Sequence, residues 1–371
     1  MKVIIAAAGT AGHINPGIAI ANKIKQEEPK SQIMFIGTER GLENDLVPRA
    51  GYELKTVNAY GLSKKISIEN FKRILKTLKG YGEAKKIIKE FKPDVVIGTG
   101  GYICGSTISS AHKLGIPTLL HESNAFPGTA IKVEAKKTDC ILVSFEDAIP
   151  RIKNAKKIVY TGTPTKLKKQ NYSLEQVKKM KQEMNIDTIL PTILVFGGSQ
   201  GAQKINEAIV SIAKNKLNDN YQIVWATGQL QYDNIKAEFL KEDLNIEYIK
   251  NMKIVPYIYN MEEVMNISDV IVSRSGAMTI TEISNLGKPS ILIPLPNVSN
   301  DHQLYNAKAL QNVGGAKIIL NNDLTGELLD KEIKDIINNP QKMRDMGKCA
   351  SKIAVSDVEN KIYNEIKKLV K

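Results

Sequence analysis

The sequence predicts an α/β protein made of two doubly wound, Rossmann-like parallel-sheet domains. Short runs rich in Val and Ile, without polar alternation, are each followed by an amphipathic stretch, which is typical of parallel strands covered by helices on both faces. The series of strands starts twice, and each start leads through a glycine-rich turn into a helical pattern. A chain of 371 residues is long enough for two domains, each with its own core.

The predicted strands fall into two sets. They lie at 3–8, 32–37, 94–98, 117–121, 140–144 and 158–162, and then at 192–198, 221–228, 246–250, 269–273, 290–295 and 316–320. We therefore assign 1–163 to an N-terminal domain and 164–349 to a C-terminal domain. Because ligands of such sheets bind outside the carboxyl ends of the strands, we expect the substrate site in a cleft between the two domains.

Residues 350–371 form a separate predicted element, an amphipathic helix. Its apolar face consists of Ile353, Val358, Ile362, Ile366 and Leu369. The sequence does not identify the domain on which this face packs.

The charge of the chain is uneven and suggests an anionic partner. The formal net charge is +13, and residues 1–165 alone carry 25 basic and 15 acidic side chains. A phosphorylated substrate or an anionic membrane face would suit this excess. Nucleic acid is disfavoured because only 6% of residues are aromatic and no recognition motif is present. A composition of 42% hydrophobic and 25% charged residues excludes a disordered or collagen-like chain.

Cysteine usage and hydrophobicity indicate the compartment. Three scattered cysteines do not form a disulfide framework, so a reducing cytoplasm is the simpler location. The first apolar run, Val3 to Ala8, is shorter than the roughly 7–15 residues of a signal-peptide core. No stretch approaches the ~18 apolar residues of a membrane-spanning helix, so membrane contact would be peripheral.

Three glycine-rich turns follow predicted strands, at 8–13, 98–102 and 197–201. Small residues let backbone N–H groups approach a phosphate, and the N-terminus of the following helix adds positive potential. A strand-to-helix turn without any ligand has the same composition. Each turn alone therefore leaves both interpretations open.

Two candidate polar groups accompany these turns. Ser275, Gly276 and Ala277 form a fourth small-residue turn, and Glu282 follows where its carboxylate could accept from ribose hydroxyls. The alternative is an acid that only complements the helix dipole. Among the four histidines, His13 alone lies in a turn position suited to a general base.

The sequence gives no indication of a metal site. No His or Cys cluster has the spacing of metal ligands, and no Asp-x-Asp pair is present to hold a cation under a diphosphate. A phosphate leaving group would then be stabilised by helix dipoles and side chains.

Residues 63–92 combine apolar and basic side chains at helical spacing. Phe71, Leu75 and Leu78 recur among Lys72, Lys76 and Lys79, a pattern typical of a helix that binds anionic lipid. A core helix with a lysine-rich solvent face has the same periodicity. Both interpretations stay open at this point.

Seven motifs occur in order along almost the whole chain: GTAGHINPGIAIA, DVVIGTGGYICG, GIPTLLHESNAFPG, TGTP, ILVFGGSQGAQKIN, VSRSGAMTITEI and DHQLYNA. With them the chain resembles the bacterial peptidoglycan glycosyltransferases that add GlcNAc to undecaprenyl-diphosphate-linked MurNAc-pentapeptide, converting lipid I to lipid II. The resemblance implies a GT-B fold, an N-terminal acceptor domain and a C-terminal UDP-GlcNAc domain. It also implies inverting transfer without metal or cofactor, peripheral location on the cytoplasmic face of the membrane, and cell-wall synthesis proteins as possible partners.

The resemblance further implies individual site residues. His13 would be the base for the acceptor hydroxyl, with Glu122 in reserve. The backbone of Ile258 would contact uracil, Glu282 would bind the ribose, and Gln303 would bind the GlcNAc hydroxyls. The donor contacts implied are Thr10, Ala11, Gly12, Asn124, Ser199, Ile258, Ala277, Met278, Thr279, Glu282 and Gln303, and Lys166 and Gln200 are further substrate contacts.

Two departures from the family pattern are visible. Ala8 and Ala11 stand in a first turn that is usually richer in glycine, which makes backbone approach tighter. Lys166 stands where the family usually has Arg, which keeps the charge but loses bidentate phosphate recognition.

Other functions share parts of this pattern. A diacylglycerol glucosyltransferase or a UDP-GlcNAc 2-epimerase could have the same layout, although an epimerase should crowd its sugar site with acidic and histidine side chains. A dinucleotide oxidoreductase would need GxGxxG, which the first turn lacks. A lipid-binding protein without catalysis would not need Glu282 and Gln303.

Overall fold

The computed structural model describes residues 1–60, 68–198 and 201–370, with side chains for all of these except 68–75. The chain divides into two compact units. Unit 1 comprises Met1–Thr165 and Val355–Lys371, and unit 2 comprises Lys166–Ala354.

Unit 1 is built on a seven-stranded parallel sheet with the order β3-β2-β1-β4-β5-β6-β7. Val3 of the central strand lies opposite Ile33 on one side and Val95 on the other. The strands are β1 (Lys2–Ala7), β2 (Gln32–Gly37), β3 (Glu53–Thr56), β4 (Val95–Gly100), β5 (Thr118–Glu122), β6 (Cys140–Val143) and β7 (Ile158–Tyr160). This strand order is that of a doubly wound fold, in which helices cover both faces of the sheet.

The helices of unit 1 before the second unit are α1 (Ala11–Glu27), α2 (Glu43–Arg49), α3 (Ile68–Phe91), α4 (Ile103–Lys113) and α5 (Thr129–Glu134). Alternate residues of the strands enter two separate cores. Ile4 and Val96 pack under α4 on one face, and Val3 and Ile97 pack under α1 on the other.

Unit 2 repeats this architecture with six parallel strands in the order β10-β9-β8-β11-β12-β13. The strands are β8 (Thr192–Phe196), β9 (Gln222–Ala226), β10 (Met252–Val255), β11 (Val270–Ser273), β12 (Ser290–Leu292) and β13 (Ala316–Ile318). A core that includes Ile193, Trp225 and Phe239 packs against one face of this sheet.

The helices of the rest of the chain are α6 (Leu174–Glu183), α7 (Gln203–Lys214), α8 (Gln229–Leu240), α9 (Met261–Ile267), α10 (Ala277–Leu286), α11 (His302–Asn312), α12 (Gly326–Ile337), α13 (Pro340–Ala350) and α14 (Val358–Val370). Local sequence fixes several of their starts. Thr325 and Asn339 accept hydrogen bonds from the first turns of α12 and α13, which satisfies backbone N–H groups that a helix start leaves without partners.

Helix α14 packs on unit 1. Val358, Ile362 and Ile366 are buried in the core beside α1, and Lys367 and Tyr363 donate to the Glu28 carboxylate at 2.8 and 2.9 Å. The predicted apolar face is thus confirmed for these three residues, and Leu369 packs partly buried against the same core. Ile353 does not belong to it, because it ends the short 3-10 helix Ser351–Ile353 in unit 2.

One predicted strand was wrong, and the strands β10 and β3 were missed. The predicted strand at 246–250 is the 3-10 helix Ile246–Tyr248, and β10 begins at Met252. Strand β3 was not predicted, because it is an edge strand whose residues Glu53 to Thr56 are mostly exposed and polar. An edge strand pairs on one side only, so it lacks the apolar run that marks a buried parallel strand.

Among the described helices, none is both long enough and apolar enough to cross a membrane.

Candidate functional site

The first glycine turn of unit 1 presents free backbone amides. The chain leaves β1 at Ala7, turns at Gly9 with a positive φ of 95°, and enters α1 at Ala11. The N–H groups of Thr10, Ala11 and Gly12 make no hydrogen bond with the described residues. No acidic side chain stands in this first turn. The turn therefore offers three N–H groups and the positive end of a helix dipole to an anion.

His13 is held in this same turn by its backbone surroundings. Its Nδ1 lies 3.1 Å from the Ala8 carbonyl oxygen. Since a carbonyl only accepts, Nδ1 carries the hydrogen, and in the neutral ring Nε2 is left with a lone pair. That is the protonation pattern that a general base requires.

The predicted turn at 98–102 packs against His13. Gly100 and Gly101 follow β4 with φ of 137° and 87°. A Cβ at Gly100 would lie 2.3 Å from Cδ2 of His13, and one at Gly101 would lie 2.5 Å from the Ala8 oxygen. Only glycine leaves room here for the imidazole and the first turn.

Glu122 is buried and fully engaged at the end of β5. It is 4% exposed, and it accepts from the Asn124 N–H and Nδ2 at 2.8 and 3.0 Å and from the Gly128 N–H at 2.7 Å. Burial raises the pKa of this carboxyl, and the hydrogen bonds from Asn124 and Gly128 and the charge of His13 offset part of the rise. Both oxygens thus hold the loop that follows β5, which brings Glu122 and Asn124 together.

Two cations share the ring of Phe126 in this loop. Lys132 Nζ lies 3.8 Å from the ring centroid and the Arg151 guanidinium 5.6 Å. Burial and the charge of Arg151 lower the pKa of Lys132. Lys132 of α5 and Arg151 of the 3-10 helix Glu146–Arg151 therefore bring positive charge to the loop after β5.

The α10 turn of unit 2 also presents free amides. Ser273 ends β11, and Gly276 caps α10 in an extended conformation. The N–H groups of Ala277, Met278 and Thr279 make no hydrogen bond within the described part of the chain. Glu282 lies half-buried on the second turn of the same helix.

Ser275 and Gln303 are joined at this turn. The Ser275 hydroxyl donates to the Gln303 carbonyl at 2.8 Å, and Asn306 Nδ2 donates to the Ser275 carbonyl at 3.2 Å. Gln303 Oε1 accepts from the Leu295 N–H at 2.9 Å, whereas its Nε2 makes no hydrogen bond with a described residue. The side chain thus has a free donor beside the α10 turn.

Ile258 and Lys166 lie on other parts of unit 2. Ile258 is buried in the loop after β10, between Tyr257 and Tyr259, whose rings meet edge to face at 5.0 Å. Lys166 is exposed at the start of the unit. No hydrogen bond between described residues joins either of them to the α10 turn. Ser199 and Gln200 lie outside the described residues.

Several supporting residues were missed from the sequence. Glu43, which is fully buried, accepts from the Gly9 N–H at 2.9 Å. Arg274 donates to the Ile293 carbonyl at 3.0 Å, and burial lowers its pKa. Asn206 donates to the Thr227 carbonyl at 2.8 Å. In each case a polar side chain meets a backbone group far away in sequence, so no local pattern could indicate it.

Two further results concern histidine and metal. His121 is buried and its Nε2 donates to the Gly162 carbonyl at 3.1 Å, and burial lowers its pKa to about 4. Its position is that of a structural residue. No cluster of three His, Cys, Asp or Glu side chains suited to a metal ion occurs among the described residues.

The chain matches two protein-family models. Residues 3–143 match the glycosyltransferase family 28 N-terminal domain, and residues 192–362 match the glycosyltransferase family 28 C-terminal domain. The class is therefore a glycosyltransferase of GT-B fold with two Rossmann-like units, as the sequence predicts.

A relative from Thermoanaerobacter sp. (strain X514) is 44% identical over 373 residues, covering 100% of both chains. Its name is UDP-N-acetylglucosamine--N-acetylmuramyl-(pentapeptide) pyrophosphoryl-undecaprenol N-acetylglucosamine transferase. The chain belongs to this family of transferases, and the resemblance stated above is confirmed.

Solved structures agree with this assignment. The Acinetobacter baumannii MurG structure is similar with a TM-score of 0.78 and 28% identity, covering 99% of each chain. The UDP-GlcNAc 2-epimerase of Neisseria meningitidis is similar with a TM-score of 0.65, covering 99% of this chain and 100% of that one. At 15% identity the epimerase shares the fold alone.

Proposed function

We propose that this chain transfers GlcNAc from UDP-GlcNAc to undecaprenyl-diphosphate-linked MurNAc-pentapeptide, with inversion at the anomeric carbon and without a metal ion. The observation that carries the proposal is the full-length similarity, at 44% identity, to a transferase whose name states both substrates. The two turns with free amides supply the chemistry that such a reaction needs.

Unit 2 would hold the donor. The free amides of Ala277, Met278 and Thr279 are suited to the diphosphate of UDP, where negative charge grows as the bond to the sugar breaks. Glu282, one turn further, would accept from the ribose hydroxyls, and the backbone of Ile258 would meet uracil. The free Nε2 of Gln303 would donate to a GlcNAc hydroxyl. Ser199 and Gln200 stay predictions as further substrate contacts, and Lys166 stays a prediction as a phosphate contact.

Unit 1 would hold the acceptor and the base. The resemblance assigns Thr10, Ala11 and Gly12 to the donor; we assign their free amides to the diphosphate of the lipid acceptor instead, because they lie in unit 1 and suit an anionic group. His13 Nε2 would take the proton from the attacking hydroxyl, since Nδ1 is already engaged with Ala8. Glu122 is the weaker candidate for the base, because both its oxygens already accept hydrogen bonds from Asn124 and Gly128. Asn124 stays a predicted substrate contact.

Inversion requires one displacement. The acceptor oxygen attacks the anomeric carbon while UDP departs from the opposite face, and the proton passes to the base. Helix N-termini and the Lys166 ammonium would stabilise the departing phosphate in place of a metal ion.

The test uses purified protein, UDP-GlcNAc and a short-chain lipid I analogue, with and without EDTA. We expect a disaccharide product with a β linkage and an unchanged rate in EDTA. A loss of activity on chelation that Mg²⁺ restores would contradict the metal-free mechanism. Formation of UDP-ManNAc without acceptor would indicate an epimerase, and transfer of glucose to diacylglycerol a lipid glucosyltransferase.

We further propose that unit 1 binds the anionic cytoplasmic face of the membrane peripherally through α3. Leu78 is 60% exposed on this helix, and Lys76 and Lys79 beside it are exposed. Exposed apolar and basic side chains on one helix are typical of an interfacial element. The side chains of Phe71, Lys72 and Leu75 lie outside the described residues. Protein partners from cell-wall synthesis stay a prediction.

Vesicle binding tests this second proposal. The intact protein should bind vesicles containing anionic lipid, and more weakly as salt rises. Each lysine near such a surface contributes about 1 kcal/mol, so reversing Lys72, Lys76 and Lys79 to Glu should abolish binding. Reversing Lys178, Lys179 and Lys236 in unit 2 is the matched control. If the α3 variant binds the vesicles as well as the wild type, α3 is an ordinary core helix with a charged solvent face, and the second proposal is wrong.

A further inference from the structure

The segment that leads from β2 into α2 ends at a buried carboxylate, Glu43, which has no role in the proposed transfer mechanism. Glu43 is fully buried at the start of α2. Its Oε1 accepts from the N–H and hydroxyl of Thr38 at 2.9 and 2.7 Å, and its Oε2 accepts from the Gly9 N–H at 2.9 Å. A buried carboxylate is costly unless such donors compensate it, so the arrangement holds the three groups strongly together.

The same segment fixes both polar groups of Gly9. While Glu43 accepts from the Gly9 N–H, the Leu42 N–H donates to the Gly9 carbonyl at 3.4 Å. Gly9 has a φ of 95° and is itself exposed, and a Cβ there would meet nothing within 4 Å. Local packing therefore does little to define the Gly9 peptide, and these two hydrogen bonds hold it, whereas Ala8 before it is held by Gly100 and His13.

One consequence concerns which amides remain for an anion. The Gly9 N–H is directed into the protein, whereas the N–H groups of Thr10, Ala11 and Gly12 make no hydrogen bond with a described residue. Rotation of the Gly9 peptide would move the start of α1 and with it these three donors. A carboxylate that fixes Gly9 thereby fixes the donors that follow it.

The surroundings of Glu43 are shaped to the carboxylate. A Cβ at Gly41 would lie 1.9 Å from Oε2, and one at Gly37 would lie 2.7 Å from Cγ. Both positions must be glycine for the side chain to reach Gly9. Neither glycine has a positive φ, so what they provide is space.

We propose that Glu43 is a positioning residue for the acceptor, which sets the first glycine turn so that the amides of Thr10 to Gly12 can receive the anionic group of the acceptor substrate. This inference rests on the proposed function, in which that turn binds the acceptor diphosphate. Glu43 does not touch substrate, because it lies beneath Gly9 and is fully buried.

The test compares Glu43→Gln and Gly41→Ala with the wild type. In Glu43→Gln, one of the two side-chain oxygens becomes an NH2 group, which must face either Gly9 or Thr38, both of which are donors. In Gly41→Ala the carboxylate stays but the new Cβ displaces it. Glu39→Gln, an exposed acid in the same segment, is the control.

We expect both variants to raise the KM for the lipid I analogue about tenfold or more, while the KM for UDP-GlcNAc stays within about twofold. Glu39→Gln should match the wild type in both constants. A role in stability alone would lower the melting temperature and leave the acceptor KM unchanged in the folded protein, which would overturn the proposal. An equal rise in both KM values would overturn it as well.

Hydrogen exchange gives a readout that does not depend on activity. The peptide that contains Gly9 should exchange about tenfold faster in Glu43→Gln than in the wild type. If the wild type transfers no GlcNAc, the proposed function fails while this exchange result can still hold. If transfer is normal and acceptor kinetics are normal in both variants, the role of Glu43 fails alone. Should Glu43→Gln not fold, Gly41→Ala decides by the same KM criterion.

Discussion

Units 1 and 2 have the same strand order but use equivalent turns differently. The central pair of strands is β1 with β4 in unit 1 and β8 with β11 in unit 2. In unit 1 the free amides follow β1, and the turn after β4 packs its glycines against His13 and Ala8. In unit 2 the turn after β11, at the start of α10, has free amides among the described residues.

The side chains near the two sets of amides also differ. The first turn of α1 contains His13, whose free Nε2 can move a proton. The first turn of α10 contains no acidic or basic residue, and Glu282 follows on the second turn. Both units therefore offer backbone amides at the carboxyl edge of the sheet, whereas the neighbouring side chain decides whether that place can do proton transfer or only binding.

The largest expected effect is that of His13→Ala. If His13 is the base, kcat should fall by about 10²–10⁴, with the KM for UDP-GlcNAc little changed. Steady-state kinetics with the lipid I analogue measure this. His112→Gln, at an exposed position on α4, is the control. A fall in kcat of less than tenfold would contradict the role of His13 as the base, and with it the difference between the turn of α1 and the turn of α10.

The second effect tests the supporting turn of unit 1. Gly100→Ala places a Cβ against the His13 ring at a φ of 137°, so we expect kcat to fall at least about tenfold and the unfolding free energy by about 2 kcal/mol. Gly82→Ala, in α3 with open space around its Cβ, should be neutral or stabilising. Kinetics and thermal melting would separate the two results, and wild-type kcat in Gly100→Ala would contradict the role of this turn.

The third effect concerns the donor side. Glu282→Ala should weaken UDP binding by about 1.5–3 kcal/mol, the contribution of hydrogen bonds to a charged group. Calorimetric titration with UDP measures it, with Glu175→Ala on the exposed face of α6 as control. Unchanged affinity in a folded variant would leave Glu282 as an acid that only complements the dipole of α10.

The smallest expected effect concerns Glu28, whose carboxylate joins the C-terminal helix α14 to the rest of unit 1. Hydrogen bonds from Lys367 and the Met1 amino group lower the pKa of Glu28 from 4.5 to about 2. A lowered pKa adds stability above the unfolded value, and this stability is lost as pH falls from about 4.5 to 2. Glu28→Gln should therefore lower the unfolding free energy by about 1 kcal/mol at pH 7 and less near pH 2. Glu27→Gln is the control, and a difference independent of pH would contradict the linkage.

Eleven of the twelve strands that the sequence predicts are present in the structure, because buried parallel strands have continuous apolar runs. The prediction failed at 246–250, where a short apolar run forms a 3-10 helix, and at β3, where an exposed edge strand has no apolar run. The site turns were found in the same way, since glycine and small residues after a strand form a local pattern.

The sequence by itself determined the two sheets, the position of each glycine turn and the family, because these depend on local patterns and on motif order. Only the tertiary structure decided that Glu43 holds Gly9, that Gly100 backs His13, and that α14 packs on unit 1 through Ile362 and Glu28. Each of these contacts joins residues from 34 to 339 positions apart. The energy of such a contact depends on which partner the folded chain brings near, and no local pattern contains that information.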